Sequence, residues 1–307
     1  MKRNFKWPIL AVFVCAIAAC IYFFYSFNRN IHRPSLLYGE INITESVAHI
    51  PHLELLIENK TIPISLDLGL SGYISLDTST LDEIKDKTSL KQSWKYGLHG
   101  IKRYHNVYQI PLIKMGTLTL SNIATNEQHP AFEDESVIIL NKEKYNPNAD
   151  NTHGRLGWML FSNMSLFLDM KNLKMVVCGS VETFQKKEHS LRGYTKAPLF
   201  LDRDLVEFEA ETSQGVVKCL LDTGCTFNIF NTPNPNDEPL GQMIQDETRF
   251  TTFSSFQISG QEFGPMTFRP LPIKLPIEVK AILGMEFFNE HRVLIDFKNH
   301  QIYFAKN

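Results

Sequence analysis

The stretch that decides the fold is residues 219–228, which read CLLDTGCTFN. An apolar run there leads directly into the tripeptide Asp222-Thr223-Gly224. The tripeptide alone is a weak signal, because an aspartate that bonds to the following backbone and a glycine that permits a tight turn end many strands. A second element follows at residues 281–288, which read AILGMEFF. Both elements recur earlier in the chain, and the recurrence is stronger evidence for the fold than either element alone.

An internal repeat covers the second element and the residues after it. Residues 155–178 read RLGWMLFSNMSLFLDMKNLKMVVC, and residues 282–305 read ILGMEFFNEHRVLIDFKNHQIYFA. The two segments align without a gap, and the identical pairs are Leu156/Leu283, Gly157/Gly284, Phe161/Phe288, Asp169/Asp296, Lys171/Lys298 and Asn172/Asn299. The Asp-x-Lys-Asn step between two apolar runs predicts a hairpin that closes each copy.

The repeat extends upstream to the aspartates. Asp67-Leu68-Gly69 follows an apolar run, as Asp222-Thr223-Gly224 does in the second copy. The interval to the later Leu-Gly element is 90 residues in the first copy and 62 in the second, and the extra length falls in the polar residues 126–150. The sequence therefore predicts two copies of one β unit, at residues 37–180 and 197–307, joined by residues 181–196.

Alternating apolar runs predict most of the local structure. Three hairpins are expected, from residues 52–58 with 61–66, 108–113 with 117–123, and 206–211 with 216–221. A short helix is expected at residues 81–90, with capping residues among 78–80. Residues 94–111, which include Gly97, Gly100, Tyr96 and Tyr104, are expected to form a flap over a cleft.

This arrangement resembles the pepsin/retropepsin superfamily of aspartic proteases. The resemblance covers both copies and is strongest in residues 219–228 and 281–288. It implies an all-β, bilobal pepsin-like acid protease fold made of two retropepsin-like β lobes. It also implies a catalytic pair formed by Asp67 and Asp222, supported by Gly69, Thr223 and Gly224, in which one proton is shared and a bound water is activated to hydrolyse a peptide bond.

One position departs from the family pattern. The middle residue of the tripeptide is usually Thr or Ser, whose hydroxyl bonds to the opposite lobe, but the first copy has Leu68. Leucine cannot make the reciprocal hydrogen bond, so the brace is one-sided. An active endopeptidase is the main reading. A catalytically impaired pseudoprotease that binds peptides or partner proteins through the interlobe cleft stays open, as does a self-association that pairs two Asp222 side chains.

The N-terminus predicts a membrane anchor. Residues 8–27 carry no charge and match the roughly 20 residues that a spanning helix needs. The basic leader before them favours a cytoplasmic N-terminus. We therefore expect residues 1–27 to be a leader and transmembrane signal anchor, residues 28–36 a juxtamembrane linker, and the catalytic part to lie on the extracytoplasmic side of a single-pass membrane protein. A cleaved signal peptide and a lipoprotein signal ending at Cys20 are the alternatives.

Composition limits the classes of binding partner and cofactor that we expect. Lys and Arg number 31 against 33 Asp and Glu, a net charge of −2, which removes the electrostatic reason to expect nucleic-acid binding. No His/Cys/Asp cluster has the spacing of metal ligands, so no metal and no cofactor are expected. Cys219 and Cys225 flank Asp222 and are expected to be small core residues rather than a redox pair. The expected partners are a peptide or protein substrate and the bilayer, and a monomer suffices because one chain carries both aspartates.

Overall fold

The computed structural model describes residues 37–45, 50–96, 102–128, 152–187, 189–202, 205–232, 249–272 and 279–307. The predicted anchor at residues 8–27 and most of the predicted insertion at 126–150 lie outside these ranges. Among the residues that are described, no helix has both the length and the apolar character needed to cross a membrane.

The first half of the described chain is built mainly of strands. They are β1 (Tyr38–Asn42), β2 (Thr44–Glu45), β3 (Pro51–Ile57), β4 (Lys60–Asp67), β5 (Ile74–Asp77), β6 (Thr88–Ser89), β7 (Ser93–Tyr96), β8 (Lys102–His105), β9 (Val107–Met115), β10 (Leu118–Gln128), β11 (Gly154–Gly157), β12 (Ser165–Asp169) and β13 (Lys174–Cys178). Strands β2, β3, β4, β11, β5, β10, β9 and β6 form one sheet in that spatial order. Strands β7 and β8 form a separate two-stranded sheet.

The second half repeats the pattern. Its strands are β14 (Thr195–Pro198), β15 (Glu207–Thr212), β16 (Gly215–Leu221), β17 (Ile229–Asn231), β18 (Thr251–Phe253), β19 (Phe256–Ile258), β20 (Gln261–Glu262), β21 (Met266–Leu271), β22 (Ala281–Leu283), β23 (His291–Asp296) and β24 (Gln301–Lys306). Another sheet has the order β18, β21, β17, β22, β16, β15, β19 and β20. Each half of the chain thus forms its own β lobe.

A six-stranded sheet joins the two lobes. Its order is β1-β13-β12-β23-β24-β14, so equivalent strands of the two copies lie at equal distances from its centre. At the centre, β12 and β23 run antiparallel, with Phe167 opposite Leu294. The closing turns also match, since Asp169 accepts hydrogen bonds from Asn172 and Asp296 accepts them from Asn299. The internal repeat is therefore a structural pseudo-two-fold symmetry.

The three predicted hairpins are confirmed. Strands β3 and β4, β9 and β10, and β15 and β16 pair antiparallel over the expected residues. The turn of the first hairpin falls one residue earlier than expected, at Glu58 and Asn59, whose φ angles of 50° and 66° are left-handed. Such paired left-handed residues match the twist of the flanking strands.

The helix predicted at residues 81–90 is wrong in its position. The helix found there, α1 (Thr78–Glu83), begins three residues earlier and ends seven residues sooner. Its N-cap is Asp77, whose Oδ1 accepts a hydrogen bond of 2.6 Å from the backbone N–H of Thr80. It ends where Ile84 turns extended and Lys87 donates to the carbonyl oxygens of Leu81 and Ile84.

The other helical elements among the described residues are short as well. They are a 3₁₀ helix (Trp158–Phe161), α2 (Val181–Lys186) and α3 (Met285–Glu290). Helix α2 lies within the predicted connection, where Val181 and Phe184 are buried.

One apolar cluster extends through both lobes. Ile64, Leu66 and Leu68 contribute to it from the first copy, and Val217, Cys219 and Leu221 from the second. Trp158 of the first lobe stacks on Phe297 of the second, with ring centroids 5.4 Å apart. Such aromatic pairs contribute about 0.5–1.5 kcal/mol beyond the area they bury. The shared core holds the two lobes in a fixed relative position. It therefore also fixes the relative position of the residues at the boundary between the lobes.

Candidate active site

The two aspartates lie at equivalent places in the two lobes. Asp67 is the last residue of β4, and Asp222 directly follows β16. Strand β4 runs parallel to β11, and β16 runs parallel to β22. Asp67 lies opposite Gly157 in this pairing, and the N–H of Asp222 donates to the carbonyl of Leu283 at 3.0 Å. The Leu-Gly elements of the repeat therefore lie beside the aspartates.

The glycines of the Leu-Gly elements admit the backbone of the aspartate loops. A Cβ on Gly157 would lie 2.5 Å from the carbonyl oxygen of Gly72, and a Cβ on Gly284 would lie 2.5 Å from that of Cys225. The residues that follow bind the same loops, since the N–H of Met285 donates to Cys225 at 2.7 Å. These contacts fix the position of each aspartate loop relative to the strands beside it.

The structure brings the two carboxyl groups together at the seam of the lobes. They are close enough for a hydrogen bond between Asp67 and Asp222. Each carboxyl group also lies against the glycine of the opposite lobe. A Cβ on Gly69 would lie 2.5 Å from Cγ of Asp222, and a Cβ on Gly224 would lie 2.8 Å from Cγ of Asp67. Two residues that are far apart in sequence thus form one reciprocal arrangement.

These two glycines lie in tight turns, because the N–H of Leu70 donates to the carbonyl of Asp67 and the N–H of Cys225 donates to the carbonyl of Asp222, both at 3.2 Å. Neither glycine has a φ angle in the left-handed region, so the turn itself does not require glycine. Glycine is required because the opposite carboxylate occupies the space of a side chain. A backbone donor to the carboxylate is present in the second lobe, where the N–H of Gly224 donates to Oδ1 of Asp222 at 2.9 Å.

Thr223 connects the two lobes from beneath the carboxylates. It is fully buried, its Oγ1 donates to the carbonyl oxygen of Leu66 at 2.8 Å, and the same Oγ1 accepts a hydrogen bond of 3.0 Å from the N–H of Leu68. Leu68 is also fully buried, and its side chain belongs to the main apolar cluster. Hydrogen bonding therefore braces the site from the second lobe, and apolar packing takes its place in the first.

The electrostatics of the pair are asymmetric. Burial, together with the nearby Asp67 carboxylate, raises the pKa of Asp222 well above that of an ordinary aspartate. On the other side, Nη1 of Arg155 lies 3.5 Å from Oδ2 of Asp67. A guanidinium group so close favours negative charge on Asp67. The proton that the pair shares is therefore favoured on Asp222, the carboxyl group that does not form the ion pair with Arg155.

Arg155 was missed by the sequence reasoning. The signal was present in the repeat, since Arg155 aligns with Ile282 when the two copies are superposed in sequence. A charged residue that replaces an apolar one, two positions before the Leu-Gly glycine, could have been singled out.

The cysteines beside Asp222 are reduced. Cys219 is fully buried in the main core, and the thiol of Cys225 donates to the carbonyl oxygen of Phe227 at 3.1 Å. Burial raises the pKa of both thiols, which keeps them protonated and unreactive.

The two-stranded sheet of β7 and β8 largely coincides with the residues predicted as a flap. Ser93 pairs with His105 and Tyr96 with Lys102, and residues 97–101, which connect the two strands in sequence, lie outside the described residues. Its function as a cover for the cleft stays a prediction.

Comparisons with known proteins address the fold. No protein-family model matches the chain, and no curated protein sequence matches it. Solved structures do match, in 401 chains. One is the crystal structure of basic 7S globulin from soybean, which is 9% identical, covers 88% of this chain and 95% of its own length, and gives a TM-score of 0.58. At that identity the likeness shows the fold alone, and it supports a two-lobed, pepsin-like β architecture.

Proposed function

We propose that the chain is an aspartic-type endopeptidase that hydrolyses peptide bonds with a water activated between Asp67 and Asp222. The observation that supports it most is the reciprocal placement of the two carboxyl groups, one from each copy, each against the glycine of the other lobe. A protein that only bound peptides would have no need for two acidic groups held at hydrogen-bonding distance.

The charge distribution assigns a role to each aspartate. Ionised Asp67 accepts a proton from the water as the water oxygen attacks the carbonyl carbon of the substrate. Protonated Asp222 donates its proton to the carbonyl oxygen, which gives a tetrahedral diol. The diol then collapses, one of its hydroxyl protons returns to Asp222, and the proton held on Asp67 passes to the departing nitrogen. The C–N bond breaks, a carboxyl group and an amine leave, and the pair regains its single proton.

The location of the enzyme is part of the proposal. Residues 8–27 would anchor the chain in a membrane, with the catalytic lobes on the extracytoplasmic side. The substrate would be a peptide or an unfolded segment of protein, and neither a cofactor nor a metal takes part.

The pH dependence of cleavage tests the function. Full-length protein is incubated with a reduced, denatured protein substrate at a series of pH values. We expect a bell-shaped profile, because the pair needs exactly one proton, and we expect activity to persist towards neutral pH. Its alkaline side falls as Asp222 loses its proton, and the raised pKa of Asp222 moves that loss upwards.

A catalytically impaired pseudoprotease is the second candidate. It is favoured by Leu68, which supplies no hydroxyl for the reciprocal brace. Absence of cleavage anywhere between about pH 3 and 8, in protein shown to be folded by circular dichroism, would contradict the enzyme and support this alternative.

A further inference from the structure

Arg155 is the charged residue of the site that has no charged counterpart in the second lobe. Its symmetry equivalent, Ile282, is 6% exposed and packs in a small apolar cluster with Leu220 and Ile229. The fold thus accepts an apolar side chain at this position. A charged residue there in one lobe calls for a reason other than folding.

The residues that pair with Arg155 are polar, whereas those that pair with Ile282 are apolar. Arg155 pairs with Ser65 on β4 and with Ser75 on β5. Paired residues on adjacent strands share one face of a sheet, so the three form a polar row, Ser65–Arg155–Ser75. In the second lobe the corresponding row is Leu220–Ile282–Ile229. Three polar residues in the first copy therefore stand where the second copy has three apolar ones.

The polar row lies on the face that carries the catalytic aspartate. Side chains alternate along β4, where Ile64 and Leu66 enter the core while Ser65 and Asp67 face the other way. The Arg155 side chain keeps 21% of its surface exposed while it contacts Asp67. It is therefore reachable from outside the protein.

A guanidinium group can bind two carboxylates at once. It has five N–H donors in a planar fork, and the contact with Asp67 engages Nη1. The Asp67 charge opposes a second anion. A ligand carboxylate at the other end of the fork would nevertheless lie at hydrogen-bond distance from the cation and farther from Asp67, so the attraction exceeds the repulsion.

We propose that Arg155, flanked by Ser65 and Ser75, is a subsite for a substrate carboxylate, so that the chain prefers peptides with Asp or Glu next to the cleaved bond. The inference rests on the proposed function, because it places the carboxylate on a peptide bound at the Asp67–Asp222 pair. The subsite binds the acidic side chain at one end of the guanidinium while Asp67 holds the other end.

The test compares matched peptides that differ only in Glu against Gln, placed in turn at each position beside the cleaved bond. At pH 6 glutamate is ionised and glutamine has nearly the same shape. With full-length protein we expect kcat/KM to be about 10- to 100-fold higher for the Glu peptide at one position, the usual size of a hydrogen bond to a charged group.

Three variants connect the preference to Arg155. Arg155→Met, which removes the charge and which the symmetry-related Ile282 shows to be compatible with the fold, should reduce the Glu/Gln ratio to about 1. Arg155→Lys keeps the charge without the fork and should give an intermediate ratio. Arg192→Met, the same change at an exposed residue of the interlobe connection, should leave the ratio unchanged. A ratio near 1 in the unaltered protein, or a ratio that Arg155→Met does not alter, overturns the subsite.

Binding to the Asp222→Asn protein separates the subsite from the catalytic proposal. Calorimetry with the same peptides should show tighter binding of the Glu peptide, and Arg155→Met should abolish the difference. Preference in binding without any cleavage by the unaltered protein would refute the proposed function and retain the subsite. Cleavage without preference would refute the subsite and retain the function.

Discussion

Replacement of Thr223 by valine is expected to lower the free energy of unfolding by about 3 kcal/mol. Valine has the shape of threonine, so packing around this fully buried position stays nearly the same. The change removes a hydroxyl that serves the N–H of Leu68 and the carbonyl of Leu66, both across the lobe boundary. Each buried backbone group that loses its partner costs about 1–3 kcal/mol.

Urea denaturation at neutral pH measures this effect. Thr252→Val is the matched control, because Thr252 is exposed, and a change below about 0.5 kcal/mol is expected there. A Thr223→Val protein within about 1 kcal/mol of the unaltered chain would show that the one-sided brace contributes little. The position of Leu68 in the core would then be the main connection between the aspartate loops.

Replacement of Asp222 by asparagine should abolish cleavage and stabilise the protein at neutral pH. Cleavage should fall at least about 1000-fold, because asparagine can neither donate nor recover the proton in the mechanism. Stability should rise by about 1–3 kcal/mol, because the unaltered chain must take up a proton at Asp222 when it folds at neutral pH, whereas asparagine is already neutral.

The gain in stability should depend on pH in a definite direction. In the unfolded chain Asp222 ionises near pH 4. In the folded chain its pKa is higher, so the unaltered protein loses stability as the pH rises from about 4 through that raised pKa. The Asp222→Asn protein should lack this decline. Melting curves from pH 4 to pH 8 measure it, and Asp202→Asn, at an exposed aspartate, should leave the decline in place. Equal pH profiles for the unaltered and Asp222→Asn proteins would contradict the asymmetric pair.

The architecture could be predicted because its signals are local or repeated. Alternating apolar residues define the hairpins, and identities such as Asp169/Asp296 reveal the equivalence of the two central hairpins. The structure then adds that these two hairpins lie side by side, with β12 next to β23 in the shared sheet. The Asp-x-Gly turns then place one aspartate in each lobe.

The missed features depend on contacts between residues distant in sequence. The helix at Thr78–Glu83 ends early where Ile84 turns extended, and the side chain of Lys87 binds the carbonyl groups of Leu81 and Ile84, which a pattern of apolar residues does not show. Gly69 is needed because of Asp222, a residue of the other copy. Arg155 acquires its significance only when the structure places it 3.5 Å from Asp67.

The most direct test of a single-chain catalytic pair is the cleavage activity of the full-length Asp67→Asn protein across the pH range in which the unaltered chain is active. If Asp67 and Asp222 of one chain form the site, this protein is folded and inactive, and mixing it with the Asp222→Asn protein restores nothing. Substantial cleavage by Asp67→Asn would contradict the account, because the site would then be formed without Asp67, for example by two Asp222 side chains from separate molecules.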